Sequence, residues 1–127
     1  MSLSSDKVRT SIAVSDMAQA KEFYEGKLGL TGIEEPYDGS RIYGCGGDTS
    51  LHVYASPGHA GTATATLAMR SVANLEETVD ELTSRGVTFE KYDEGPLETD
   101  ENGIHVLGDG KVAWLKDSDG NTFAIEQ

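Results

Sequence analysis

His52 and Tyr54 stand two residues apart in the alternating run Thr49–Ala55. That spacing puts an imidazole and a phenol on the same side of an extended chain. The pair could pass a proton near neutral pH, which makes His52 the catalytic candidate; it equally suits a hydrogen-bonded histidine that only binds. Arg9 carries a planar, permanently charged fork that could hold a carboxylate or phosphate of a ligand, or pair with a neighbouring acid. Cys45, the sole cysteine, sits in Gly44-Cys45-Gly46-Gly47. It reads as a small apolar filler, and its solitude excludes an intramolecular disulfide framework or a thiolate zinc cluster. Trp114 and Tyr43 suit either core packing or an aromatic wall for a ligand.

Strand alternation assigns faces to these groups. In Val8–Val14, Ile12 and Val14 share one side, leaving Arg9, Ser11 and Ala13 on the other. In Thr49–Ala55, Leu51 and Val53 turn inward, leaving Ser50, His52 and Tyr54. In Thr122–Glu126, Phe123 and Ile125 turn inward, leaving Thr122, Ala124 and Glu126. The expected ligand-lining set is therefore Arg9, Ser11, Tyr43, Ser50, His52, Tyr54, Trp114 and Glu126.

A repeat organises these strands. After the first strand, Asp16 opens a helix with Gln19 three residues on, and Met17, Ala20, Phe23, Tyr24 and Leu28 follow at helical spacing up to Gly29. After Leu67–Val72, Asn74 opens another with Glu77 three residues on, and Leu75, Val79 and Leu82 lead to Gly86. The caps are 58 residues apart and the terminal glycines 57, as a duplicated module requires. Strand signals follow each helix: Thr31–Glu35, Arg41–Gly44 and Thr49–Ala55, then Val87–Tyr92, Gly103–Leu107, Val112–Lys116 and Thr122–Glu126. The reading is α+β: two βαβββ modules forming a curved mixed sheet around a concave pocket, with one helix per module on the outer face. Module 1 spans about residues 7–56, a flexible linker 57–63, and module 2 64–127, in a single domain. The acidic, aperiodic stretch Asp93–Asn102 reads as a solvated loop or a mobile edge over the pocket.

Composition narrows the partners. Ten Lys and Arg against twenty-two Asp and Glu give a net charge of −12, which argues against nucleic acid and against anionic membrane surfaces. No run reaches the ~18 apolar residues of a membrane span, and the N-terminus lacks the pattern of a signal peptide. A cytoplasmic location is expected.

Ile12-Ala13-Val14-Ser15-Asp16-Met17, Phe23-Tyr24 and Leu28-Gly29-Leu30, followed by the closing Val112-Ala113-Trp114-Leu115-Lys116-Asp117-Ser118-Asp119-Gly120-Asn121, resemble the vicinal oxygen chelate superfamily. That superfamily includes glyoxalases, extradiol dioxygenases, fosfomycin-resistance enzymes and bleomycin-binding proteins. The resemblance runs from about Val8 to Gln127, with Ser118 where the family usually has proline. It implies four metal-ligand positions, occupied here by Arg9, His52, approximately Leu67 and Ala124. Arginine cannot be deprotonated, and Leu and Ala have no donor atom, so no metal cofactor is expected. A site relocated to His52, Glu126 and a mobile acid is the remaining metal alternative.

Three functions follow as expectations. The first is a metal-free protein binding a small organic molecule, similar to the drug-sequestering branch of the superfamily. The second is a lyase, isomerase or dioxygenase with a displaced metal or with His52 as acid–base. The third is a regulatory or interaction module without a ligand. The resemblance also implies a homodimer.

Overall fold

The computed structural model describes residues 3–127. Both helices begin where the cap residues place them. The Asp16 carboxylate accepts from the amides of Ala18 and Gln19, and the Asn74 side chain accepts from that of Glu77, each from an extended cap residue. Past the helices, Gly29 and Gly86 take φ of +72° and +94°, left-handed values that cost glycine nothing.

Module 1 runs β1 (Thr10–Val14), α1 (Met17–Lys21), β2 (Thr31–Glu34), β3 (Ser40–Gly44) and β4 (Ser50–Ala55). Module 2 repeats the order with β5 (Ala68–Ser71), α2 (Leu75–Ser84), β6 (Ile104–Leu107), β7 (Gly110–Lys116) and β8 (Thr122–Glu126). Each module builds its own four-stranded mixed sheet, ordered β1-β4-β3-β2 and β5-β8-β7-β6, with the first strand parallel to the last. The α+β class and the two βαβββ modules stand as expected.

The inward faces meet in one core. Ile12, Val14, Leu51 and Val53 come from the first sheet, and Ala113, Leu115 and Ile125 from the second. Phe23 and Tyr24 of the first helical segment and Leu75, Val79 and Leu82 of α2 fill the space around them. Alternation then sends the opposite side chains of both sheets outward, away from this shared core.

A polar clasp also ties the modules. In the β7–β8 turn, Asp117 is buried and accepts four hydrogen bonds: from the Tyr24 hydroxyl at 2.6 Å, from Asn121 Nδ2, and from the amides of Asp119 and Asn121. Asn121 Nδ2 also donates to the carbonyl of Ala13 in β1, and Ser15 donates through its amide and hydroxyl to Asp119. The buried side chains of Asp117 and Asn121 are thereby satisfied by partners in the other module and within the turn.

Four local expectations change. After Lys21 the helix widens into a π-helical stretch, Glu22–Lys27, where Leu28 donates to the Phe23 carbonyl. The wider turn lets the adjacent rings Phe23 and Tyr24 both enter the core, edge to face at 5.2 Å. The expected strand Val87–Tyr92 reduces to a single bridge, Phe89 to Leu115. Its continuation along β7 is β6, so residues 91–103 form an excursion from what would be one edge strand. The first strand starts at Thr10, two residues later than the apolar Val8 suggests, and Val8 is exposed. The linker is not loose: Ser56 and His59 bond through side chain and backbone, and Thr122 donates to the Ala63 carbonyl.

Gly61 shows why that linker holds one path. Its φ is +75°, and a Cβ there would strike the carbonyl oxygen of Asp119 in the clasp turn. Gly61→Ala is expected to destabilise by about 1–2 kcal/mol from the left-handed backbone alone, with the clash adding to it. Urea denaturation of the variant against the parent measures this.

Candidate functional site

The outward face of the first sheet collects five of the sequence-derived residues. In register across β1, β4 and β3 lie Ser11, His52 and Ile42, then Ala13, Tyr54 and Ser40. The His52 ring stacks on Tyr54 at 5.4 Å and 23°, and the Tyr37 ring stands nearly perpendicular to it at 6.0 Å. Its Nδ1 lies 3.3 Å from the Ser11 hydroxyl, and its Nε2 is 3.5 Å from the Tyr37 hydroxyl. Arg9 Nε donates to Ser50 Oγ at 2.8 Å. Among the described residues Arg9 has no carboxylate partner, although the chain carries twelve more acids than bases. This face offers a guanidinium edge free of any carboxylate among the described residues, two serine hydroxyls and an imidazole stacked on a phenol.

Module 2 presents the counterpart face with different chemistry. The ladder Ser11–His52–Ile42 corresponds to Met69–Ala124–Trp114, and Ala13–Tyr54–Ser40 to Ser71–Glu126–Val112. Extended by one residue, the same correspondence sets Leu67 in module 2 at the place of Arg9 in module 1. Trp114 is half-buried, with Tyr92 edge-on at 5.7 Å and His105 tilted at 6.1 Å. His105 Nδ1 donates to the Glu98 carbonyl, which fixes its ring against the 91–103 excursion. Ser71 donates to Glu126 at 2.9 Å. Trp114 and Glu126 thus share a face with each other, and the structure sets them on a different sheet from His52. Among the described residues, the side-chain hydrogen bonds and ring contacts of His52 and Trp114 all stay within their own module.

Tyr43 belongs to neither face. It pairs with Leu51 on the inward side of β3, is fully buried, and donates its hydroxyl to Glu25 at 2.9 Å. Its pairing with Leu51 puts it on the core face of the sheet, so it packs rather than lines. The site features that sequence reasoning missed are Tyr37, Tyr92 and His105. Tyr37 comes from a turn, and Tyr92 from the end of the expected strand Val87–Tyr92, which is reduced to a single bridge at Phe89, so strand alternation places neither ring.

Burial and the Asp117 carboxylate push the Tyr24 phenol above its ordinary value, and burial with Glu25 does the same to Tyr43. Above about pH 10 the unfolded chain loses these two protons while the folded chain keeps them. The unfolded state then binds fewer protons, so stability falls as pH rises, by about 1.4 kcal/mol per pH unit for each group. Phenolate absorbance of these two rings is expected to arrive together with unfolding in an alkaline titration. Its appearance while the fold persists would contradict this packing.

A family model for the Glyoxalase/Bleomycin resistance protein/Dioxygenase superfamily matches residues 8–125. No curated protein matches the chain in sequence. Solved structures share the fold. TnmS3, an antibiotic binding protein from Streptomyces sp. CB03234, superposes with a TM-score of 0.68 at 23% identity, covering 97% of each chain. A bleomycin-binding protein complexed with bleomycin gives 0.66 at 24% identity, over 97% of this chain and 98% of that one. The fosfomycin resistance protein FosX from Mesorhizobium loti gives 0.66 at 10% identity, over 97% and 92%. With its duplicated βαβββ modules and a family match over nearly its whole length, the chain belongs to the glyoxalase/bleomycin resistance protein/dioxygenase superfamily.

Proposed function

We propose that this protein binds a small organic molecule without a metal, using Arg9, Ser11, Ser50, His52 and Tyr54 on one face and Trp114 with Glu126 on the other. The observation that carries this reading is the Arg9 guanidinium, without a carboxylate partner among the described residues, on the same face as a histidine stacked on Tyr54 and edge-on to Tyr37. Such a surface recognises an aromatic or conjugated molecule by stacking and an anionic substituent by charge-assisted hydrogen bonds. Likeness in fold to an antibiotic binding protein and to a bleomycin-binding protein supports an antibiotic-sized ligand.

The donor chemistry does not fit the metal of the enzymatic relatives. Of the four positions, only His52 has a lone pair to give, and its two nitrogens face hydroxyl groups. Leu67 and Ala124 offer no donor, and Arg9 stays charged. Among the described residues no three His, Cys, Asp or Glu gather as a metal site. His52 with its hydroxyl neighbours also supports acid–base chemistry as a second reading, which turnover by the same protein would reveal.

The proposed unit is a homodimer. Both candidate faces look away from the shared core, so each needs a second surface to enclose a ligand, and another copy can supply the complementary face. Among the described residues no helix is long and apolar enough to cross a membrane.

The test is a thermal-shift screen over antibiotics, methylglyoxal adducts and small acids, with sizing of the protein alongside. A ligand that binds only the folded state raises the apparent melting temperature. A hit whose shift disappears in Arg9→Ala and His52→Ala supports the proposal. No shift across the panel points to an interaction module instead, and a shift indifferent to both substitutions places the binding elsewhere on the chain.

A further inference from the structure

A second cavity lies apart from His52 and Trp114. It occupies about 490 Å³ between the lower end of β1 and β4 and the edge strand β5. Tyr24, Leu28 and Leu30 form part of its lining from module 1, with Leu51; Phe123 and Ile125 face them from module 2. Its volume is within the range of small-molecule sites, and its walls are mostly apolar.

One charged side chain lines this cavity. The repeat explains it: Arg70 occupies in β5 the place that Ile12 holds in β1, where Ile12 is buried under the core. Arg70 is exposed, and its Nη2 donates to Cys45 Sγ at 3.4 Å, across from one module to the other. A thiol is a weak acceptor and leaves most of the guanidinium's hydrogen-bonding capacity unused. Among the described residues no carboxylate pairs with Arg70, although acids outnumber bases more than two to one. An arginine replacing the expected apolar residue, beside an apolar cavity and lacking an acid partner, is suited to an amphiphilic anion.

We infer that this cleft is a second ligand site, which takes an apolar monocarboxylate with its chain against Leu28, Leu30 and Phe123 and its carboxylate on Arg70. The guanidinium supplies paired N–H donors that match a carboxylate, and the acyl chain gains by leaving water. The acidic surface elsewhere disfavours anions, so selectivity for this end of the molecule comes from Arg70. The cleft shares Ser50 with the proposed face of module 1 and Met69, Ser71 and Ala124 with that of module 2, but neither His52 nor Trp114 lines it.

Calorimetric titration of the full chain with decanoate tests this, with decylammonium as the charge-reversed probe. Saturable binding of decanoate near one per chain is expected, weakened at least 10-fold by Arg70→Ala and unaltered by Lys91→Ala, which removes one positive charge elsewhere. Decanoate is also expected to slow alkylation of Cys45. Circular dichroism of the Arg70→Ala protein establishes that it is folded. Absence of decanoate binding, equal binding of decylammonium, or equal loss in both variants would overturn the inference. The thermal-shift screen with His52→Ala reports on a different set of side chains, so either proposal can fail while the other stands.

Discussion

Replacing Asp117 by alanine is expected to cost the fold about 3–5 kcal/mol, the range for breaking a buried charged network from one side. The carboxylate accepts four hydrogen bonds while buried, and its removal strands the Tyr24 hydroxyl and the Asn121 amide. Those groups cannot reach water without opening the junction between modules. In a chain of this size the loss corresponds to a fall in melting temperature on the order of 10–20 °C. Tyr24→Phe removes one donor and leaves the turn's own bonds, so it costs less, about 1–3 kcal/mol. Thermal denaturation of both variants checks the order as well as the size. Equal, small effects would mean that the clasp is not what holds the modules in register.

Trp114→Ala is expected to reduce affinity for an aromatic ligand about 30-fold, equivalent to about 2 kcal/mol, as for a buried aromatic anchor. Trp114 is the sole tryptophan, and it stands on the outward face of module 2 beside Tyr92 and His105. Its emission therefore reports ligand arrival directly in the parent protein. Arg9→Ala is expected to weaken anionic ligands about 10-fold and to leave uncharged analogues bound. A ligand that leaves tryptophan emission unchanged and ignores both substitutions would place binding elsewhere.

The frame of the molecule was legible because period and punctuation agreed. Asp16 and Asn74 announce both helices, Gly29 and Gly86 their ends, and alternation sorts Ile12 from Ser11 and Val53 from His52. Alternation within β3 alone would have put Ile42 in the core and Tyr43 outward with Arg41; only the register against Leu51 and Val53 of β4 sets Tyr43 on the core face. What spacing cannot express is contact between segments. The excursion 91–103 has no period, yet it delivers Tyr92 to Trp114 and the Glu98 carbonyl to His105. The π-helical stretch was equally hidden, because its apolar residues fit the 3.6-residue period until the hydrogen bonds are traced. Asp117 could be read as a turn residue; that it accepts from Tyr24, 93 positions away, is a fact of tertiary packing.

Native mass spectrometry of metal-stripped protein, titrated with a hit from the antibiotic panel, tests the central claim most directly. The expected result is a ligand adduct that forms in a chelating buffer, is weakened in Trp114→Ala and, for an anionic hit, in Arg9→Ala, and is unchanged by added nickel, zinc or manganese. One metal bound per chain, with ligand binding or turnover appearing only in its presence, would contradict it.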